Sequence, residues 1–127
     1  MTHEIIISNA TDLLRVSALN VMAIKADGNY SVVILNDGDE RLVAFQLGQV
    51  EQIINEQLGS DASMFIRIGR GVIINQEYLF NINLPKQHLI VRSDNGSKAT
   101  LSSSKEALRE LKKYIDQRIS RKEGQHE

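Results

Sequence analysis

Phe65-Ile66-Arg67-Ile68-Gly69-Arg70-Gly71-Val72-Ile73-Ile74-Asn75 reads as one strand-like run interrupted by an arginine between two glycines. The β-branched residues on either side are stiff at χ1 and favour extended backbone. Glycine reaches conformations closed to other residues, so the run can bend where Arg70 stands. The two glycines do not form a phosphate-cradling loop. Neither G-x-x-x-x-G-K-[ST] nor G-x-G-x-x-G occurs, and Val72 to Ile74 are β-branched where such loops open a helix.

Downstream, strands are expected around Tyr78 to Asn83 and His88 to Ser93, with Pro85 in their connection. Asp94-Asn95-Gly96-Ser97 is a hairpin turn leading into Lys98 to Leu101. Ser103 and Glu106 have the spacing of a capping box, which predicts a final helix from about Lys105 to Arg118. Its apolar stripe is Leu108, Leu111, Ile115 and Ile119, and Arg121 to Glu127 are expected to fray. Upstream, Leu47, Val50, Ile53, Ile54 and Leu58 recur at helical spacing, and Gly59 suits the left-handed position after a helix. Before that helix, Val21 to Lys25, Tyr30 to Asn36 and Arg41 to Phe45 form a meander. Its turns are Ala26-Asp27-Gly28-Asn29 and Asn36-Asp37-Gly38-Asp39. Met1 to Ser17 is weakly patterned, with a strand over Glu4 to Ser8 and a turn over Asn9 to Asp12. The fold class is therefore mainly β with two helices.

The 127 residues fit one domain, and 42% apolar content supports a core. The longest apolar runs span three or four residues, far short of the roughly 20 that a membrane helix needs. There is no secretory-type N-terminus and no cysteine, so the expectation is a cytoplasmic protein. Residues 1–64 carry three basic and nine acidic groups, a net of −6, while residues 65–127 carry twelve and seven, a net of +5. This asymmetry favours a polyanionic partner on the second half.

Enzymatic chemistry finds little support. His3, His88 and His126 are far apart and lack metal-site spacing. Asp37, Asp39 and Glu40 crowd a hairpin tip, where charge is solvated, whereas general acid catalysis needs partial burial. Ser102 to Ser104 lack a G-x-S-x-G elbow and read better as a helix cap. The expectation is no catalytic residue, no metal, no cofactor and no small-molecule substrate. Tyr30 fits equally a half-buried strand position or a surface contact. Arg67 reads as a strand residue paired structurally with a carboxylate.

Three blocks together resemble the LytTR family of bacterial DNA-binding domains, the output domains of response regulators. Ile24-Lys25-Ala26-Asp27-Gly28-Asn29-Tyr30 is similar to the family's I-x-A-x-G-N-Y, following an apolar strand. Phe65 to Asn75 is similar to F-x-R-I-H-R-S-x-I-V-N, and Leu101-Ser102-Ser103-Ser104-Lys105 stands where the family passes from a strand to a helix. The helix Leu47 to Leu58 falls between the first two blocks, as in the family. The resemblance spans about Ser17 to Tyr114.

The resemblance implies small antiparallel sheets with an amphipathic helix between strands and a C-terminal helix. It further implies that loops, rather than a recognition helix, read successive major grooves of double-stranded DNA at a direct-repeat site, with a second copy on the repeated half-site. Carried over by position, the DNA-binding residues are Asn29, Tyr30, Arg70, Ser104 and Lys105. Phosphate contacts are assigned to Gly69, Gly71, Lys98, Arg109, Lys112 and Lys113. Residues 1–16 would be an N-terminal strand and extension, 17–116 the domain and 117–127 a basic tail. With no room for a receiver domain in 127 residues, a standalone transcription regulator is expected, with a membrane-bound inhibitor or sensor as a further candidate partner. The alternative is an interaction or antagonist module on the same fold, with weak or no DNA binding. Gly69 and Gly71 replace the family's usual His and Ser, which implies a more mobile loop and weaker binding, and Lys105 replaces the usual arginine.

Overall fold

A computed structural model describes residues 3–126, with side chains from 3 to 119. In chain order the described elements are β1 (Glu4–Ser8), β2 (Leu13–Ser17), β3 (Val21–Asp27), β4 (Tyr30–Leu35), β5 (Glu40–Val43), α1 (Leu47–Leu58), β6 (Phe65–Ile68), β7 (Val72–Asn75), β8 (Leu79–Asn83), β9 (His88–Arg92), β10 (Lys98–Ser102) and α2 (Lys105–His126). They make a mainly β fold of three antiparallel sheets and two helices, as the sequence implies.

A five-stranded sheet ordered β5-β4-β3-β7-β6 is covered on both faces. That explains why its strands read as unbroken apolar runs rather than alternations. Val33 and Ile73 face α1 and the β1–β2 hairpin. Val32, Ile34, Val72 and Ile74 face the second sheet, β10-β9-β8, together with α2. A register shift between Val21 and Ala23 lets four successive residues of β3 divide between the layers, Val21 and Ile24 on one side and Met22 and Ala23 on the other. Burying each such Val, Ile or Met contributes about 1.5–3 kcal/mol. The central strands thus carry much of the stabilising area.

α1 begins and ends where its stripe predicts, with Leu47, Val50 and Ile54 buried. Gly59 ends it at φ 57° but ψ −126°. The positive φ is as expected, but this is not the left-handed helical conformation; the chain instead enters a short helical turn over Gly59–Met64. β2 is a strand that the sequence pattern did not distinguish. Only Leu14 and Val16 turn toward the core, Arg15 lies between them and Leu13 is exposed, so the alternation is too short to read. Pairing with β1 sets Ile5 opposite Val16 and Ile7 opposite Leu14, and both isoleucines are buried against α1. The Gln57 side chain donates to Ile6 O and accepts from Ile6 N, each at 2.8 Å, which ties helix to hairpin.

α2 continues to His126, past the expected end at Arg118. Over Arg121 to His126, where the sequence implied a frayed tail, the backbone is helical. Leu108 and Leu111 are buried, Ile115 is partly buried and Ile119 is 52% exposed, so the buried stripe stops one turn earlier than its spacing implies. Helix capping falls to Ser104 instead of Ser103: Ser104 Oγ accepts from Ala107 N at 3.1 Å and Ser104 O from Leu108 N at 3.0 Å. Because Ile54 is only 2% exposed in the layer between α1 and the central sheet, Ile54→Ala should lower unfolding free energy by about 2–5 kcal/mol in a urea titration.

Candidate nucleic-acid interface

Strand register gathers three loops from distant parts of the sequence at one end of the molecule. β3 and β4 pair with Asp27 opposite Tyr30, so Gly28 and Asn29 form the turn. β7 lies antiparallel to β3 with Val72 opposite Lys25, and Ala26 N donates to Gly71 O at 2.8 Å. The β6–β7 turn, Gly69-Arg70-Gly71, therefore sits beside the β3–β4 turn. A Cβ on Gly69 would lie 3.1 Å from Ser103 Oγ and 3.5 Å from Ala107 Cβ, which puts the start of α2 against the same turn. Ser103 N also donates to Gln87 O at 3.3 Å, adding the β8–β9 turn with Lys86.

Asn29, Tyr30, Arg70, Ser104 and Lys105 thus all stand at this end and all are exposed. Asn29 Oδ1 accepts from Gln46 Nε2 at 3.2 Å, just before α1. Tyr30, for which the sequence left two readings open, is 48% exposed where β4 begins. Ser104 Oγ is occupied as acceptor by the helix cap and keeps its hydroxyl proton free to donate. Lys105 occupies the first turn of α2, where a cation opposes the helix dipole.

Arg67 departs from β6 toward α1 and folds over the turn. Its Nη1 donates to Glu51 Oε1 at 2.7 Å, its Nε to Gly69 O at 3.0 Å and its Nη2 to Arg70 O at 3.0 Å. The carboxylate pairing expected from the sequence is present, and the two carbonyl bonds are additional. The sequence also implied a mobile turn because His and Ser are absent. In the structure, Arg67 from one strand and Ala26 from another hydrogen-bond the carbonyls of this turn. Gly69 has φ +59°, whereas Gly71 has no positive φ and open space where a Cβ would stand. A histidine at 69 would therefore be strained by the backbone regardless of what it touched.

The remaining cations divide. Lys98 begins β10 opposite Arg92, and the turn before it bonds the other end of the central sheet through Asn95 Nδ2 to Asn36 O at 3.0 Å. Lys98 is therefore placed at the opposite end of the molecule from Arg70, apart from the other residues expected to contact phosphate. Arg109, Lys112 and Lys113 follow along the exposed side of α2, lining a groove with Leu84, Asp116 and Gln117. Lys112 Nζ is paired with Asp116 Oδ2 at 2.7 Å. Among the described residues, Arg70, Lys86, Lys105, Arg109 and Lys113 make no ion pair. The exposed Asp27 is an acid at the same end, while Asp37, Asp39 and Asp94 lie in turns at the other. Lys86 and Gln46 were missed in the sequence. The available signal was the Pro85-Lys86 turn between two expected strands; His88, at the turn end of the second, pairs with Ser102.

The family model for the LytTr DNA-binding domain matches residues 12–116. The chain belongs to the LytTR family. This LytTR domain is also similar in fold to a Bacillus cereus chain described as the LytTr DNA-binding domain of a methyl-accepting/DNA response regulator. The TM-score is 0.60 at 16% identity, with 91% of this chain and 98% of that one covered. No curated protein matches the sequence. No helix of the described residues is long and apolar enough to cross a membrane. The family is one of DNA-binding transcription regulation domains.

The geometry of the turn separates its two glycines experimentally. Gly69→Ala should destabilise the LytTR domain by about 1–2 kcal/mol, the cost of left-handed backbone for a residue with a Cβ. Gly71→Ala should stay within about 0.5 kcal/mol of the parent. Urea melts of the two variants side by side measure the difference.

Proposed function

We propose that this LytTR domain is a sequence-specific transcription regulator that binds double-stranded DNA with the end formed by the β3–β4 turn, the β6–β7 turn and the start of α2. One observation carries the reading: exposed cations without ion-pair partners, Arg70 and Lys105 foremost, converge there from separate segments. Arg70 reads base edges, because its guanidinium fork matches guanine O6 and N7 in the major groove. Asn29 and Tyr30 supply a second set of contacts from the neighbouring turn. Ser104 donates its hydroxyl to a phosphate while its oxygen caps α2, and Lys105 and Arg109 add cationic phosphate contacts that fix position without reading sequence. Gly71 lets backbone approach the duplex closely. The loops follow successive major grooves, and two copies occupy repeated half-sites on bacterial DNA in the cytoplasm.

Selection from a randomised duplex library, followed by titration of the enriched duplex at several salt concentrations, tests the reading. Affinity should fall steeply and log-linearly with salt, as release of counterions from several phosphates requires. A chain that enriches no sequence and shows no salt-dependent binding would be an interaction module on this fold instead. Arg70→Ala should weaken the enriched duplex by about 1–3 kcal/mol and relax preference at one base position, with the melting temperature unchanged.

A further inference from the structure

We infer that Arg67, anchored by Glu51 of α1, is the positioning residue of the DNA-reading turn. It sets the backbone dihedrals of Arg70 without touching DNA itself. The inference rests on the reading of Arg70 as a base-contacting residue and adds what aims it.

Arg70 stands between two glycines, and flexible neighbours leave the direction of its side chain poorly restrained by local backbone preference. Aim at a base edge tolerates little error, on the order of 0.5 Å. Two peptide planes flank the Arg70 Cα: the Gly69–Arg70 peptide, whose carbonyl is Gly69 O, and the Arg70–Gly71 peptide, whose carbonyl is Arg70 O. Rotation of the first relative to Cα is φ of Arg70, and rotation of the second is ψ. Arg67 bonds both carbonyls from one rigid guanidinium, Nε to Gly69 O and Nη2 to Arg70 O, each at 3.0 Å. A planar group that holds both carbonyls therefore fixes both dihedrals at once.

The third donor completes the device. Nη1 reaches Glu51 Oε1 at 2.7 Å, so the guanidinium is itself oriented by a helix packed on the core. Arg67 and Glu51 are side-chain exposed by 29% and 38%, which puts the pair at the rim, where its worth as a plain ion pair is small. All three bonds end on the turn or on α1. Lysine cannot reproduce them, because its single ammonium lacks the planar fork that reaches three acceptors in different directions. The N-cap residue of α1 touches the neighbouring turn as well, Gln46 Nε2 donating to Asn29 Oδ1. One helix that faces away from the duplex thus braces both turns that face it.

The test compares the full chain with Arg67→Lys, Glu51→Gln, Arg70→Ala and the double variant Arg67→Lys/Arg70→Ala. Each is titrated against the duplex enriched by the parent from the random library, and each is put through the selection itself. Arg67→Lys should bind about tenfold more weakly, the loss of one to two hydrogen bonds, and should relax preference at the same base position as Arg70→Ala. Glu51→Gln should shift the same position by less. The double variant should bind no worse than Arg70→Ala alone, because positioning an absent side chain has no effect. A purely structural role would lower affinity evenly over all positions and add to the Arg70→Ala loss. That pattern, or unchanged affinity in both Arg67→Lys and Glu51→Gln, overturns the inference while the DNA reading stands. Should Arg67→Lys fail to fold, Glu51→Gln alone decides between these outcomes. A parent chain that enriches no duplex overturns the DNA reading and the inference with it.

Discussion

The antiparallel pairing of β3 with β7 joins the first half of the chain to the second, and the remaining architecture depends on its register. With Val72 opposite Lys25 and Ile74 opposite Ala23, the alternation of β7 sends Ile73 into one apolar layer and Val72 and Ile74 into the other. A slip of one residue would exchange those faces, a change that the two covered layers do not permit. The same register decides which turns become neighbours. The turn before β7 must lie beside the turn after β3, whatever residues those turns contain.

Rigid layers below and short turns above make a surface whose side chains are aimed by the fold rather than by a helix. The β3–β4 turn is held through Asn29 and Gln46, the β6–β7 turn through Arg67 and Ala26, and the start of α2 through its Ser104 cap. Each of these restraints is polar and lies outside the apolar layers. Altering the side-chain contacts should cost less stability than substitutions among Val33, Ile54 or Ile73 inside those layers, with the Ser104 cap carrying about 0.5–2 kcal/mol of its own. Stability and aim reside in different residues of the same elements.

The separation of charge between the halves survives folding only in part. β6 and β7 join the sheet of the acidic half, and Arg67 is neutralised by Glu51 from that half. The turns sort the rest incompletely: Arg70, Lys86 and Lys105 share one end with Asp27, while Asp37, Asp39 and Asp94 stand at the other with Lys98. Charges on strand ends follow strand direction, so an antiparallel fold can gather cations from separate segments at one end.

Local chemistry made much of this legible in the sequence. Helical spacing of Leu47, Val50, Ile54 and Leu58 set α1, glycine-bearing turns set the hairpins, and three motif blocks indicated the LytTR family and the residues that gather at one end of it. These signals lie within a turn or two of backbone, where propensity and periodicity act. Other features depended on partners far along the chain. β2 became a strand because β1 and α1 offered it a place, and the cap of α2 fell on Ser104 rather than Ser103. Lys98 went to the opposite end through the register of β10. Arg67 acquired its two carbonyl acceptors only when the β6–β7 turn closed over it beside Glu51. The sequence by itself determined most of the elements and the chemistry they carry. Tertiary structure decided which of those chemistries meet, because register, burial and the direction of a side chain are settled by contacts between segments that no local pattern records.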